Sequence, residues 1–142
     1  MASSLMHDLR TPVTHLRHGL ERALHEGDHA AALEQAIRET DVMLELFAAL
    51  LRIAQEAVSN AVRHGHPQHV RISLTGESAH WVLVVADDGE GMEGSPDDCA
   101  QHGYGLTNMQ ERATAIGGTW HIETHKGKGT RVSVRLPRRN IP

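Results

Sequence analysis

Three groups of residues in this chain have types and spacings suited to chemistry. Glu56, Asn60 and His64 recur every four residues, which puts a carboxylate, an amide and an imidazole in one line on a helix face. Oxygen groups of that kind suit Mg²⁺, and the imidazole suits a phosphate oxygen. Asp87-Asp88-Gly89-Glu90-Gly91 follows directly on an apolar strand pattern. There a carboxylate can accept a hydrogen bond while glycine backbone approaches a ligand closely. Gly103-Tyr104-Gly105-Leu106 opens a helical pattern, and free N–H groups at such an end attract anions, phosphate above all. Each group alone also has a plain structural reading: a solvated polar stripe, an ordinary Asp-Gly turn, a glycine-flanked helix start.

These residues need elements to position them. Leu5, Leu9, Val13, Leu16, Leu20 and Leu24 form a helical stripe. Gly27-Asp28 then supplies a C′ glycine and a new N-cap. Leu33, Ile37, Thr40, Leu44, Phe47, Leu51 and Ala54 alternate steps of four and three, a heptad seam. Two antiparallel helices cannot bury both stripes alone, so the spacing predicts pairing with a second copy into a four-helix bundle. Packing of the hairpin on the C-terminal half is the alternative. Ala57, Val58, Ala61 and Val62 continue the periodicity, and one helix from about Ala30 to His64 is predicted.

Beyond Gly65 the pattern changes to strands. They are predicted at 70–74 and 81–85 around a turn at 75–79, and at 120–123 and 130–136 around Gly127-Lys128-Gly129. A loop rich in Gly, Asp and Pro covers 87–102, and a helix covers 106–116, closed by Gly117-Gly118. The expected fold class is α+β: a helical hairpin forming a dimeric bundle, then a sheet covered by helices on one face.

Composition narrows the function. The 142 residues carry a formal charge of −4, with 14 basic and 18 acidic side chains, which argues against a general nucleic-acid binder. No apolar run approaches the ~20 residues of a membrane span, and no signal-peptide pattern opens the chain. The single Cys99 excludes an internal disulfide and fits a reducing compartment, so a cytoplasmic location is expected. The 12 histidines are scattered. Of these, His25 with His29, and His121 with His125, have the spacing to share Zn²⁺, but no third ligand accompanies either pair.

Taken together, in this order, the motifs are specific. Gln55-Glu56-Ala57-Val58-Ser59-Asn60-Ala61-Val62-Arg63-His64 resembles the N box of the histidine-kinase ATP-binding domain. Asp87-x-Gly89-x-Gly91 resembles its G1 box, and Gly103-x-Gly105-Leu106-x-Asn108-Met109 its G2 box. Gly127-x-Gly129-Thr130 matches the terminal glycine-threonine element, so the resemblance spans roughly 50–137. Arg52–Ala57 and Asn108–Ala113 are similar to the nitrate-sensor-like subgroup. His7-Asp8-Leu9-Arg10-Thr11-Pro12 resembles the H box of the commonest sensor histidine kinases.

The resemblance implies roles. His7 is the expected phosphoacceptor, since a neutral imidazole is a competent nucleophile. Asp8 accepts its proton or fixes its tautomer. Thr11, one turn on, helps position water for dephosphorylation of the partner, and Pro12 bends the helix. Asn60 holds Mg²⁺ against the triphosphate, and Glu56 orients or deprotonates the attacking group. His64, with Arg63, touches phosphate oxygens. Asp87 accepts the adenine amino group, and Gly89 and Gly91 make room for base and sugar. Gly103, Gly105 and Leu106 form the hinge of the phosphate lid, and Thr130 supports the adenine pocket.

The implied division is a phosphotransfer hairpin over 1–53 and an ATP-binding domain over 54–142. The implied function is a homodimeric histidine kinase that uses ATP and Mg²⁺ and passes phosphate from His7 to an aspartate of a response-regulator receiver domain.

The chain departs from the family in instructive ways. The H box and the N-to-G2 set belong to different subgroups, and the chain looks spliced through Leu50–Gln55. No phenylalanine box lies between G1 and G2, and the lid loop from Met92 to His102 is short. A truncated or engineered minimal kinase, or a natural core without its sensor, fits this pattern. The alternative function is an ATP-binding dimeric phosphotransfer or interaction module with little autokinase activity, because the inter-domain linker is missing. A serine kinase of the anti-sigma-factor type shares the nucleotide boxes, but the H box and the seam argue against it. Type-II topoisomerase and mismatch-repair ATPases share the nucleotide fold in far longer chains.

Overall fold

The structure, a computed structural model, describes residues 14, 17–22, 25, 30–93 and 105–138. His7, Asp8, Thr11, Pro12, Gly27, Asp28, Cys99 and Gly103 lie outside the described residues. The chain divides into two compact units, 1–48 with 141–142, and 49–140.

In the first unit residues 14, 17–22 and 25 are helical. Arg17 Nη2 pairs with Glu21 at 3.3 Å, one turn on, while its Nε reaches Asp41 at 3.2 Å on the next helix. That helix, α1, runs Ala30–Asn60 without interruption. No Gly or Pro occurs in it to break the ladder. Thr40 is buried, and its hydroxyl donates to the Ala36 carbonyl at 2.8 Å. Phe47, by contrast, is 43% exposed.

The second unit is a two-layer α+β sandwich. After α1 the chain widens into a single π-helical turn, Ala61–Gly65, and leaves through His66 in a left-handed conformation (φ 45°) before Pro67. The predicted helix end at His64 is thus correct in place, but its last turn is π rather than α. Such one-turn π segments concentrate at functional sites. Then follow β1 (Val70–Gly76), β2 (His80–Asp87), α2 (Leu106–Ala115), β3 (Thr119–Thr124) and β4 (Thr130–Pro137). The β1–β2 hairpin is tighter than the predicted turn at 75–79, because Thr75 and Gly76 pair with Val82 and Trp81.

The four strands are antiparallel in the order β1-β2-β4-β3. Register makes the layers. Leu83 faces Val134, and Val85 faces Val132, which faces Ile122 on β3. Side chains alternate along a strand, so these residues share one face. Leu50, Ile53, Ala54 and Ala57 of α1, with Leu106, Met109 and Ala113 of α2, pack on that face as one buried core. The other face carries Arg71, Arg131, Arg135, His121 and Glu123, all exposed.

The buried stripe of α1 in this unit is Leu50, Ile53, Ala54 and Ala57, continued by Ala61 of the π turn. The heptad seam read from the sequence shares only Ala54 with it. The sheet and α2 take up one side of the helix, and the seam drifts off that side because its period is shorter than 3.6 residues.

Candidate functional site

A narrow cleft opens where the core meets the polar ends of the strands. Asn60, Ala61, His64 and Gly65 line it from the end of α1 and the π turn; Asp87, Gly91 and Met92 line it from β2 and the loop beyond. Thr130 of β4 completes the polar rim, while Ala57, Leu106 of α2, Ile122 and Val132 form the apolar side. Residues up to 75 positions apart in the chain, Ala57 and Val132, thus meet at one place because β4 inserts between β2 and β3.

Asp87 ends β2 opposite Thr130. Its Oδ1 accepts the Gly89 N–H at 2.8 Å, which holds the carboxylate at the start of the loop. The loop is then tied back on both sides. Glu90 N–H donates to the Gly65 carbonyl at 2.8 Å, and Gly127 N–H donates to the Glu90 carbonyl at 2.6 Å. Gly91 has φ 69°, and a side chain there would run into the His125 carbonyl and reach 3.0 Å from that of Gly129. Only glycine meets both demands.

Gly105 caps α2 with φ 64°. The Glu56 carboxylate lies against it, occupying the place a β-carbon would take. Glu56 is therefore seated at the helix start, where the backbone dipole is positive.

Asp88 is a feature of the site that sequence reasoning missed. Its Oδ1 accepts the N–H groups of Gln68 and His69 at 2.9 and 2.8 Å, and its Oδ2 lies 2.8 Å from His69 Nδ1. The His69 backbone N–H, then its ring, hold the Asp88 carboxyl below its ordinary value. This clamp fastens the segment after the π turn to the loop after β2. Thr124 is a second missed residue. Its hydroxyl accepts the Met92 N–H at 2.8 Å and lies 2.9 Å from the Thr130 hydroxyl. Its signal was available: a Thr on each side of a Gly-Lys-Gly hairpin, spaced to face each other.

Of the residues singled out in the sequence, Asn60, His64, Asp87, Gly91, Leu106 and Thr130 are brought to one cleft. Gly89 borders it through its hydrogen bond to Asp87, and Glu56 and Gly105 meet each other at the start of α2. Arg63 is exposed on the π turn and is not among the lining residues. His7, Asp8, Thr11 and Gly103 fall outside the described residues. Among the described residues no cluster of three His, Cys, Asp or Glu side chains could hold a metal ion. His121 instead lies 3.5 Å from Glu123. Mg²⁺ needs less, since it keeps several waters and takes one or two protein oxygens with phosphate. The Asn60 amide oxygen on the cleft wall is a donor of that kind.

Comparison with known proteins agrees with this arrangement. Residues 47–140 match the family described as histidine kinase-, DNA gyrase B- and HSP90-like ATPases. The sensor protein VraS of Staphylococcus saprophyticus is 42% identical over 88 residues, 62% of this chain and 25% of that protein. This chain therefore spans about a quarter of that relative's length. The ATP-binding domain of PrrB from Mycobacterium tuberculosis superposes with a TM-score of 0.55 at 31% identity, over 63% of this chain and 67% of that one. The histidine kinase domain of a blue-light-activated kinase from Erythrobacter litoralis shares the fold, with a TM-score of 0.59 at 19% identity over 70% of this chain and 52% of that one. The chain belongs to the histidine kinase-, DNA gyrase B- and HSP90-like ATPase family, and its second unit is a sensor-histidine-kinase ATP-binding core.

Proposed function

We propose that this chain is the catalytic core of a two-component histidine kinase. It binds ATP in the cleft of the second unit, transfers the γ-phosphoryl group to His7, and passes it on to an aspartate of a response-regulator receiver domain. The observation that carries this reading is the convergence of Asn60, His64, Asp87, Gly91 and Thr130 on one cleft. In the reading, Asp87 receives the adenine amino group, and Gly89 and Gly91 let the base lie against backbone. Asn60 is the Mg²⁺ ligand, and the ion supplies neutralisation of phosphate charge when bound. His64 and the exposed Arg63 meet phosphate oxygens, and Gly103, Gly105 and Leu106 form the lid hinge.

An imidazole nitrogen of His7 attacks the γ-phosphorus as the bond to the β-phosphate oxygen breaks and ADP leaves. Glu56 and Asp8 orient the imidazole or take its proton, and Thr11 positions water for the later hydrolysis at the partner. Two copies pair through the seam of 1–53 into a four-helix bundle, and the complex works in the cytoplasm.

The test is incubation of the chain with γ-labelled ATP and Mg²⁺. The reading requires an acid-labile, base-stable label that His7→Ala abolishes. Equal labelling of His7→Ala, or no nucleotide binding at all, sinks it. A second reading is favoured by one specific observation: α1 runs unbroken from Ala30 to Asn60, so among the described residues no non-helical linker interrupts Arg52–Gln55 ahead of the N box. In that reading the chain binds ATP and dimerises but leaves His7 unlabelled, and the same experiment separates the two.

A further inference from the structure

We propose that Thr124, the last residue of β3, is a positioning residue of the nucleotide cleft, acting through Met92 and Thr130. The proposal rests on the ATP-binding reading above and adds a residue to it. Thr124 does not itself line the cleft, yet it is bonded to two residues that do.

The sheet register creates the arrangement. Asp87 of β2 lies directly opposite Thr130 of β4, and Thr130 lies directly opposite Thr124 of β3. The three form a row across the sheet on the face that carries the cleft. At the far end of that row, Thr124 Oγ1 accepts the Met92 N–H at 2.8 Å and so pins the loop that leaves β2. The same oxygen lies 2.9 Å from Thr130 Oγ1 and 3.4 Å from the Gly129 carbonyl. The first distance is that of a good O–H···O hydrogen bond and the second is long for one.

A hydroxyl has one proton and two lone pairs. Met92 occupies one lone pair of Thr124. The short link to Thr130 uses either the proton or the other lone pair. Thr130 can therefore turn only in concert with Thr124, and the group it offers to the cleft depends on its neighbour. Loss of the Thr124 hydroxyl frees the Thr130 rotor and strands the Met92 N–H, so both the floor and the loop wall of the cleft lose their setting. The hydroxyl, and not the bulk of the side chain, is what the cleft requires.

Titration calorimetry of the full chain with Mg-ATP tests this, on wild type and on Thr124→Val, Thr124→Ser, Thr130→Val and the double Thr124→Val/Thr130→Val chain. Thr124→Val is expected to weaken binding about ten-fold, and Thr124→Ser, which keeps the hydroxyl, to stay within about two-fold of wild type. The double variant is expected to bind about as weakly as the weaker single variant, because the two hydroxyls act as a unit. Melting temperature without nucleotide identifies a variant that has not folded. If the valine variant does not fold, Thr124→Ala carries the same expectation without an added methyl clash. Wild-type affinity in Thr124→Val or Thr124→Ala, a serine variant as weak as valine, or independent additive losses in the double variant overturns the proposal. Failure of wild type to bind Mg-ATP overturns the ATP-binding reading itself, which none of those three results does.

Discussion

Asp87 and Asp88 are adjacent carboxylates with different employment. Asp87 faces the cleft and keeps one oxygen on the Gly89 N–H. Asp88 turns to the surface and accepts from Gln68 and His69. Replacing Asp87 by Asn keeps the size and the acceptor for Gly89, and removes only the charge and one acceptor oxygen. Asp87→Asn is therefore expected to melt close to wild type without ligand but to lose the stabilisation that ATP confers, about 2.7 kcal/mol at a hundred-fold excess over Kd. Calorimetric melting with and without Mg-ATP checks this.

For Asp88 the expectation concerns pH. Its carboxyl is held below the ordinary value of 3.8, chiefly by the His69 backbone N–H. A lowered folded value means the ionised form favours the fold. That contribution is complete above pH 3.8 and fades as pH falls through the lowered value. Asp88→Ala should therefore melt below wild type at pH 7, and the gap should close in melts taken progressively below pH 3.8.

At the scale of elements, α1 does two things that a sequence pattern presents as one. Its first part carries the seam with Thr40 and Phe47; its last part carries the core stripe through Leu50, Ile53 and Ala57. Periodicity showed that the helix continues past Ala54 but not that the buried side changes, because the partner surface is set by strands far along the chain. Ile53 has no exposed surface. Ile53→Ala is expected to cost about 2–5 kcal/mol in urea unfolding, as cavity formation in a packed core does. The strands themselves were legible from alternation and from their Gly, Asp and Pro punctuation. What escaped was their order: a β4 inserted between β2 and β3 leaves no local trace, and it is this order that sets Thr130 beside both Asp87 and Thr124.

At the scale of the molecule, two units share one chain. The proposed dimer draws on the first, where Phe47 is 43% exposed on the heptad seam. Phe47→Glu is expected to shift sedimentation equilibrium from dimer toward monomer while the ATP-induced rise in melting temperature persists. A dimer undisturbed by this change would remove the seam from the interface.

The sequence by itself determined the chemistry on offer, since residue types and short spacings are local properties. The boxes around Asn60, Asp87, Gly105 and Thr130 name a nucleotide-binding core without coordinates. Only the tertiary structure decided which residues share the cleft, that Glu56 seats against Gly105 while Arg63 stays outside the lining, and that Asp88 and Thr124 hold its walls. Those facts depend on strand order, register and the widened turn at Ala61–Gly65, which long-range packing imposes and no short stretch of chain encodes.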